Sequence, residues 1–255
     1  VVTVNPKNAF RIVPICILFC LAPAAPAEAG RGPILEVEGG VVSCGYNDVR
    51  IPGVGGTRFS LVDDLETDPD LFVRMRLTYK VGERHTFSVL AAPLRLDAQG
   101  TVPAEIIFEG KTFPAETALS ARYRFDSYRL TYRYGLHSSP RLKAGIGVTA
   151  KIRDAAVSIE GGDTAAEKTN TGFVPLINFS VSWTVRPGYG LLLEGDALAA
   201  PQGRAEDVLI ALFYEAGERL ALRIGYRLLE GGANNDEVYN FALLHYGVLG
   251  VSLAF

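Results

Sequence analysis

The chain has 255 residues, is 48% hydrophobic and 21% charged, and carries 25 basic against 28 acidic residues, a formal net charge of −3. That length suits one domain, and the absence of any basic block or RNA- or DNA-type motif excludes nucleic acid as a partner. After the first 29 residues no apolar run approaches the roughly 18 residues that read as a membrane-spanning helix, so the apolar content has to be used in another way.

At the amino-terminal end Lys7 and Arg11 lead into the apolar run 12–21, and a small-residue segment ends in Ala27-Glu28-Ala29. This is the pattern of a cleavable secretory signal over 1–29, leaving a barrel domain over 30–255. The run is too short to span a bilayer, although an amino-terminal anchor is the competing reading. Cys16 and Cys20 follow Ile15 and Phe19 where lipid attachment wants a small residue, which excludes a lipoprotein. Cleavage removes Lys7, Arg11 and Glu28 and leaves 23 basic and 27 acidic residues, net −4. Only Cys44 then remains, so an intramolecular disulfide and two-cysteine metal or redox motifs are excluded.

Period-two alternation recurs along the rest of the chain and predicts ten strands: 34–43, 71–81, 85–94, 118–136, 141–155, 172–185, 189–198, 206–216, 219–230 and 238–255. Short turns at 82–84, 137–140, 186–188 and 217–219 alternate with longer connections at 44–70, 95–117, 156–171, 199–205 and 231–237. An even strand number with tight turns at one end and long loops at the other predicts an all-β fold: a closed antiparallel transmembrane barrel in the bacterial outer membrane. A secreted soluble β-protein is the alternative. With both termini periplasmic, all the short turns fall on the periplasmic side. Aromatic residues are expected as girdles at the two interfaces: Tyr79, Phe87, Tyr134, Trp183, Tyr189, Tyr214 and Phe255 at one, Phe72, Phe173, Tyr226, Tyr239 and Phe241 at the other.

Alternation also sorts the charges. An Arg facing lipid at mid-membrane costs about 2–4 kcal/mol, so strands with charge at every second position must turn it inward. The predicted luminal set is Glu36, Glu38, Arg74, Arg76, Arg129, Arg133, Lys143, Lys151, Arg153, Glu194, Asp196, Asp207, Glu215, Arg223 and Arg227, nine basic and six acidic residues. A ten-stranded barrel is little wider than the eight-stranded kind whose interior fills, so an ion-paired solid lumen is expected. A narrow anion-preferring pore and a luminal binding site are the alternatives.

The outer rim offers the other candidate surface: Asp154, Arg204, Glu206, Glu230, Asp236 and Glu237, which suit Ca²⁺, or lipopolysaccharide phosphates reached through cations and Arg. The run Asn234-Asn235-Asp236-Glu237 lacks the spacing of a regular calcium loop, so no metal and no cofactor are expected. Loops 44–70 and 95–117 are expected above the membrane, where binding normally resides, with a small hairpin near 105–113 extending the barrel. His245 falls on the lipid face by strict alternation, and a bulge near Gly247 or Gly250 is expected to turn it into the luminal network.

In strand number the chain resembles the omptin proteases, which use acidic residues and a histidine at the outer rim. His85 and His137 sit at the opposite turns and His245 in the last strand, so that resemblance lacks its base. Arg133-Tyr134 followed by His137-Ser138-Ser139 is faintly similar to the motif of lipid A deacylases, but it occupies a tight turn at the wrong end of the barrel. The last strand, with Leu249, Val251, Leu253 and Phe255 on one face, resembles the carboxy-terminal insertion signal of outer-membrane barrels. That resemblance implies recognition by the barrel-assembly machinery. The expectation is an outer-membrane barrel surrounded by lipid and lipopolysaccharide, acting without enzymatic chemistry as a structural or surface-interaction protein. A narrow channel or a rim-based envelope hydrolase is the alternative.

Overall fold

The computed structural model describes residues 32–201 and 203–255; the segment 1–29, read as a leader, lies outside them. The described residues form fifteen strands and no helix. In chain order these are β1 (Ile34–Arg50), β2 (Phe59–Ser60), β3 (Glu66–Thr67), β4 (Asp70–Val81), β5 (His85–Ala92), β6 (Arg95–Thr101), β7 (Ile106–Phe108) and β8 (Lys111–Phe113). They continue with β9 (Ala118–Ser138), β10 (Leu142–Gly161), β11 (Thr164–Arg186), β12 (Tyr189–Ala200), β13 (Gly203–Glu215), β14 (Leu220–Asn234) and β15 (Tyr239–Ala254).

Ten of them close a barrel. β1 pairs with β4, β4 with β5, β5 with β9, and β9 through β15 each with the next; β15 returns to β1, and every pairing is antiparallel. Closure follows from the surroundings, because a wall immersed in hydrocarbon leaves no free backbone donor or acceptor at its edge. The start of β1, the carboxy-terminal Phe255 and the short turns share one end, called the terminal end, where the Phe255 N–H donates to the Pro33 carbonyl at 3.1 Å. The other end is the mouth. Gly82 and Gly188 at the terminal-end turns and Gly162 at the mouth turn between β10 and β11 take positive φ of 63°, 79° and 56°, a conformation that disfavours any side chain.

Alternation is strict on the outer wall. Val73, Met75 and Tyr79 on β4, Leu130 on β9, Ile146, Val148 and Ile152 on β10, and Leu222, Ile224 and Tyr226 on β14 are all exposed. Tyr189 and Tyr214 stack near the terminal end at 4.6 Å between ring centroids. Phe72 departs from the expected girdle: it is buried inside the barrel, edge-on to Tyr246 at 4.9 Å. His245 also departs from expectation. β15 runs without a register shift from Tyr239 to Leu253 against β14, so His245 stays on the outer wall. It stacks on Tyr226, whose hydroxyl lies 2.5 Å from His245 Nδ1. That partner satisfies the ring without turning it inward. The irregularity sits on β1 instead, between Cys44 and Tyr46.

The long connections are more ordered than the sequence implies. β1 continues to Arg50, and the expected loop 156–171 is ladder: β10 and β11 pair up to Gly161 opposite Thr164, around Gly162-Asp163. The small and polar residues there blur the alternation that marks a strand. β5 and β6 are one line interrupted at Pro93, both pairing β9; the Asp126 carboxylate accepts from Leu94 N–H at 3.1 Å and pairs with Arg95.

The remaining loops fold back into the mouth rather than standing free. Phe59, Leu61 and Leu65 from one loop and Phe108 and Phe113 from the β7–β8 hairpin pack with Leu96, Tyr123, Ile159 and Leu244 of the wall. Backbone bonds tie the two loops together, Thr57 N–H to Ile107 O and Glu109 N–H to Ile51 O, both at 2.9 Å. Phe108 and Phe113 are completely buried, and each such ring contributes about 1.5–3 kcal/mol. The mouth therefore has a hydrophobic stopper.

Val148 stands outward in the wall, six residues into β10 from Leu142. Val148→Arg is expected to lower the unfolding free energy of the lipid-reconstituted barrel by about 2–4 kcal/mol in a urea titration.

Candidate functional site: the luminal charge layer

Below the stopper the lumen holds a layer of buried charge, built by strands whose every second residue faces inward. On neighbouring strands β12 and β13, Asp196 stands directly opposite Asp207, with Glu194 two residues along. On β9 and β10, Arg129 stands opposite Lys151. Like charges side by side on a sheet repel, so each wall finds its counter-charge across the lumen. Within the layer, opposite charges are also neighbours on adjacent strands: Glu38 stands opposite Arg74 and Glu36 opposite Arg76 on β1 and β4, and Arg227 of β14 lies diagonal to Asp207 of β13.

Asp207 is the hub. Its Oδ2 accepts from Arg129 Nη2 at 2.6 Å and Arg74 Nη2 at 2.9 Å, and its Oδ1 from Arg227 Nη1 at 2.6 Å. Arg227 Nη2 also reaches both oxygens of Glu38, at 2.9 and 3.0 Å. Arg129 Nη1 bonds Asp196 Oδ2 at 2.7 Å, and Asp196 Oδ1 accepts from Thr149 Oγ1 at 2.6 Å and Asn178 Nδ2 at 2.7 Å. Arg76 Nη1 meets Glu194 at 2.8 Å, Arg223 Nη1 meets Glu36 at 2.8 Å, and Arg133 Nε meets Asn178 Oδ1 at 2.6 Å.

Four members of the predicted luminal set stand apart from the hub. The Lys151 ammonium is buried 4.8 Å from the centroid of the Phe125 ring, with no carboxylate within 4.0 Å among the described residues. Arg153 bonds Asn170 in the mouth, and Lys143 and Glu215 line the wider terminal end. Sequence reasoning missed Asn178 and Ser127, although their inward parity carried the signal; Thr149, inward by parity, joins the network through Asp196.

From the terminal end, water-accessible space reaches up to this layer. One cavity of about 270 Å³ is lined by Arg76, Lys80, Thr131, Arg133 and Glu194, and another of about 200 Å³ by Glu36, Lys143, Glu215 and Arg223. The lumen is thus a cup, open toward the termini and blocked above by ion pairs and then by apolar side chains.

The expected rim residues do not converge on one site. Asp154 pairs with Arg124 at 2.8 Å on the outer face. Glu230, also outward, accepts from Arg204 at 2.7 and 2.8 Å and from the Tyr46 hydroxyl, while Arg204 lies 4.9 Å over the Phe241 ring. Glu206 is exposed and stands opposite Glu230; Asp236 and Glu237 lie by a turn capped by the Asn235 side chain. No group of three or more His, Cys, Asp or Glu among the described residues is arranged to hold a metal ion. His85 contacts Tyr132 on the outer wall and His137 is exposed near the terminal end, so none of the three histidines lines lumen or mouth.

No family model matches the sequence, and neither does any curated protein. Among solved structures the chain is similar to the Escherichia coli outer membrane protease OmpT, with a TM-score of 0.58, 8% identity, and coverage of 88% of this chain and 97% of that one. The transport unit of the autotransporter AIDA-I from Escherichia coli aligns with a TM-score of 0.46 and 8% identity, covering 91% and 93%. Ail of Yersinia pestis aligns with 0.41 and 8%, covering 88% and 99%. The fold is that of the bacterial outer-membrane β-barrel proteins.

Removing the hub strands three buried guanidinium groups. Asp207→Ala is expected to destabilise the barrel by about 3–5 kcal/mol in equilibrium unfolding, well beyond the effect of losing an exposed pair such as Arg122–Asp97.

Proposed function

We propose that this protein is a non-conducting outer-membrane barrel, with both termini in the periplasm, that acts as a structural or surface-interaction protein. The observation that carries the reading is the double obstruction of the lumen. A solute entering from the terminal end meets the Arg74–Asp207–Arg129–Arg227 cluster, each side chain at most 3% exposed. Opening a path there separates paired charges in a poorly solvated space, at several kcal/mol per ion. Beyond it lies the stopper of Phe59, Phe108 and Phe113.

The rest of the reading concerns the outside. The β9–β10–β11 side of the wall rises past the other strands and offers a rigid platform at the mouth. Exposed aromatic and aliphatic side chains suit the outer-membrane lipid, and Arg204 with its aromatic neighbour suits the lipopolysaccharide headgroup level. The barrel-assembly machinery is the expected partner during insertion.

Planar-bilayer recording of the purified protein is expected to give no unitary conductance steps. Replacing Ile106–Phe113 by a flexible linker should leave it closed, because the ion layer persists; regular steps from the unaltered protein would overturn the reading. For orientation, in a Cys44→Ser background a membrane-impermeant maleimide is expected to label Asp163→Cys on intact cells, and Glu218→Cys only after permeabilisation.

A further inference from the structure

The wall is incomplete at one place above the barrel. β11 pairs with β12 only from Ile177 opposite Ala197 down to Arg186, whereas its pairing with β10 continues up to Thr164. The register says which backbone groups are left over. Thr184 N–H donates to Arg141 O at 2.8 Å, so even-numbered residues of β11 bond toward β10. Ala165, Glu167, Thr169, Thr171 and Phe173 therefore direct their N–H and C=O groups to the open side. No backbone bond among the described residues satisfies them. Pro175, which has no N–H to offer, falls on that same side at the root of the edge.

An unpaired edge of this length is a template for another strand. Its two faces differ chemically. Inward, the gap gives onto a small cavity of about 50 Å³ whose lining includes Arg153, Lys168, Asn170 and Asn240, and Arg153 Nε is buried without a partner. Lys168 has a single carboxylate partner, Glu109 at 3.4 Å. Outward stand Glu167, Thr169, Thr171 and Phe173, all exposed. Two copies inserted in the same membrane both run β11 toward the bilayer, so their edges cannot meet antiparallel. That removes a second copy as the antiparallel occupant.

We propose that the β11 edge over Thr164–Phe173 takes up an extended segment of a partner protein as an added antiparallel strand, with an acidic side chain turned inward to Arg153 and Lys168 and a basic one outward to Glu167. Backbone bonds to five free N–H groups supply the attachment, and charge alternation supplies the register. In the cell this rests on the reading that the mouth faces outward, but binding by the purified barrel does not.

The test uses the refolded full barrel in detergent micelles and the fluorescein-labelled peptide VETSVEKTV. Laid antiparallel from Phe173 to Ala165, it sets its second glutamate opposite Lys168 and its lysine opposite Glu167. Saturable binding by fluorescence anisotropy is expected. Thr169→Pro, which removes one edge N–H, should weaken it about tenfold or more. Lys168→Glu should weaken it and be rescued by the peptide whose second glutamate is lysine; this charge swap leaves the backbone untouched. Heat-modifiable mobility on gels checks that each variant is folded. Absence of saturable binding, or equal binding by a folded Thr169→Pro barrel, overturns the inference. Bilayer conductance or reversed cysteine labelling would instead overturn the proposed function alone.

Discussion

Asp207 is held by three guanidinium groups from three different strands, β4, β9 and β14, and much of the interior is arranged around that grip. A single buried carboxylate among arginines is unfavourable unless every charge nearby finds a counterpart. Glu38, Asp196 and Glu194 take the remaining arms of Arg227, Arg129 and Arg76, and the buried Lys151 rests on the Phe125 ring instead. Because β12 and β13 carry acids side by side and β9 and β10 carry bases side by side, the Arg129–Asp207, Arg129–Asp196 and Arg76–Glu194 pairs cross the lumen. The layer therefore ties together walls that do not touch through the hydrogen-bonded ladder.

This arrangement makes the lumen asymmetric. Toward the termini the interior widens into polar cavities with Ser and Thr side chains among their lining. Toward the mouth the charges give way to Phe72, Tyr123 and Tyr246, and then to the rings brought in by the loops. Water on one side and hydrocarbon-like packing on the other divide the work. The ion layer ties opposite walls together, and the stopper buries apolar surface that the ten strands alone leave open.

Much of the wall was legible from residue parity. Strands carrying Arg74 and Arg76, or Arg129 and Arg133, have one tolerable orientation in a membrane, and the structure has both pairs inside. The rim was less legible. Arg204, Glu206 and Glu230 lie on the outer face, and Asp154 pairs with Arg124 three strands away from Arg204, because closeness in a loop-rich stretch says nothing about the direction of a side chain. His245 was misjudged for a related reason. Burial of its polarity needed a partner rather than a bulge, and Tyr226, 19 residues earlier, is a neighbour only through the β14–β15 register.

By itself the sequence determined the all-β class, the strand number and the end that bears the short turns, and it put a one-sided constraint on the charges of the membrane-spanning strands. These depend on local alternation and on the cost of placing charge in hydrocarbon, which act residue by residue. Tertiary structure alone decided that Asp207 rather than Glu194 is the hub, that the loops turn back to close the mouth, and that β11 outruns β12 to leave an open edge. Each of these depends on which distant segments meet, and such meetings are set by register and shear around the closed sheet, quantities that no single strand carries.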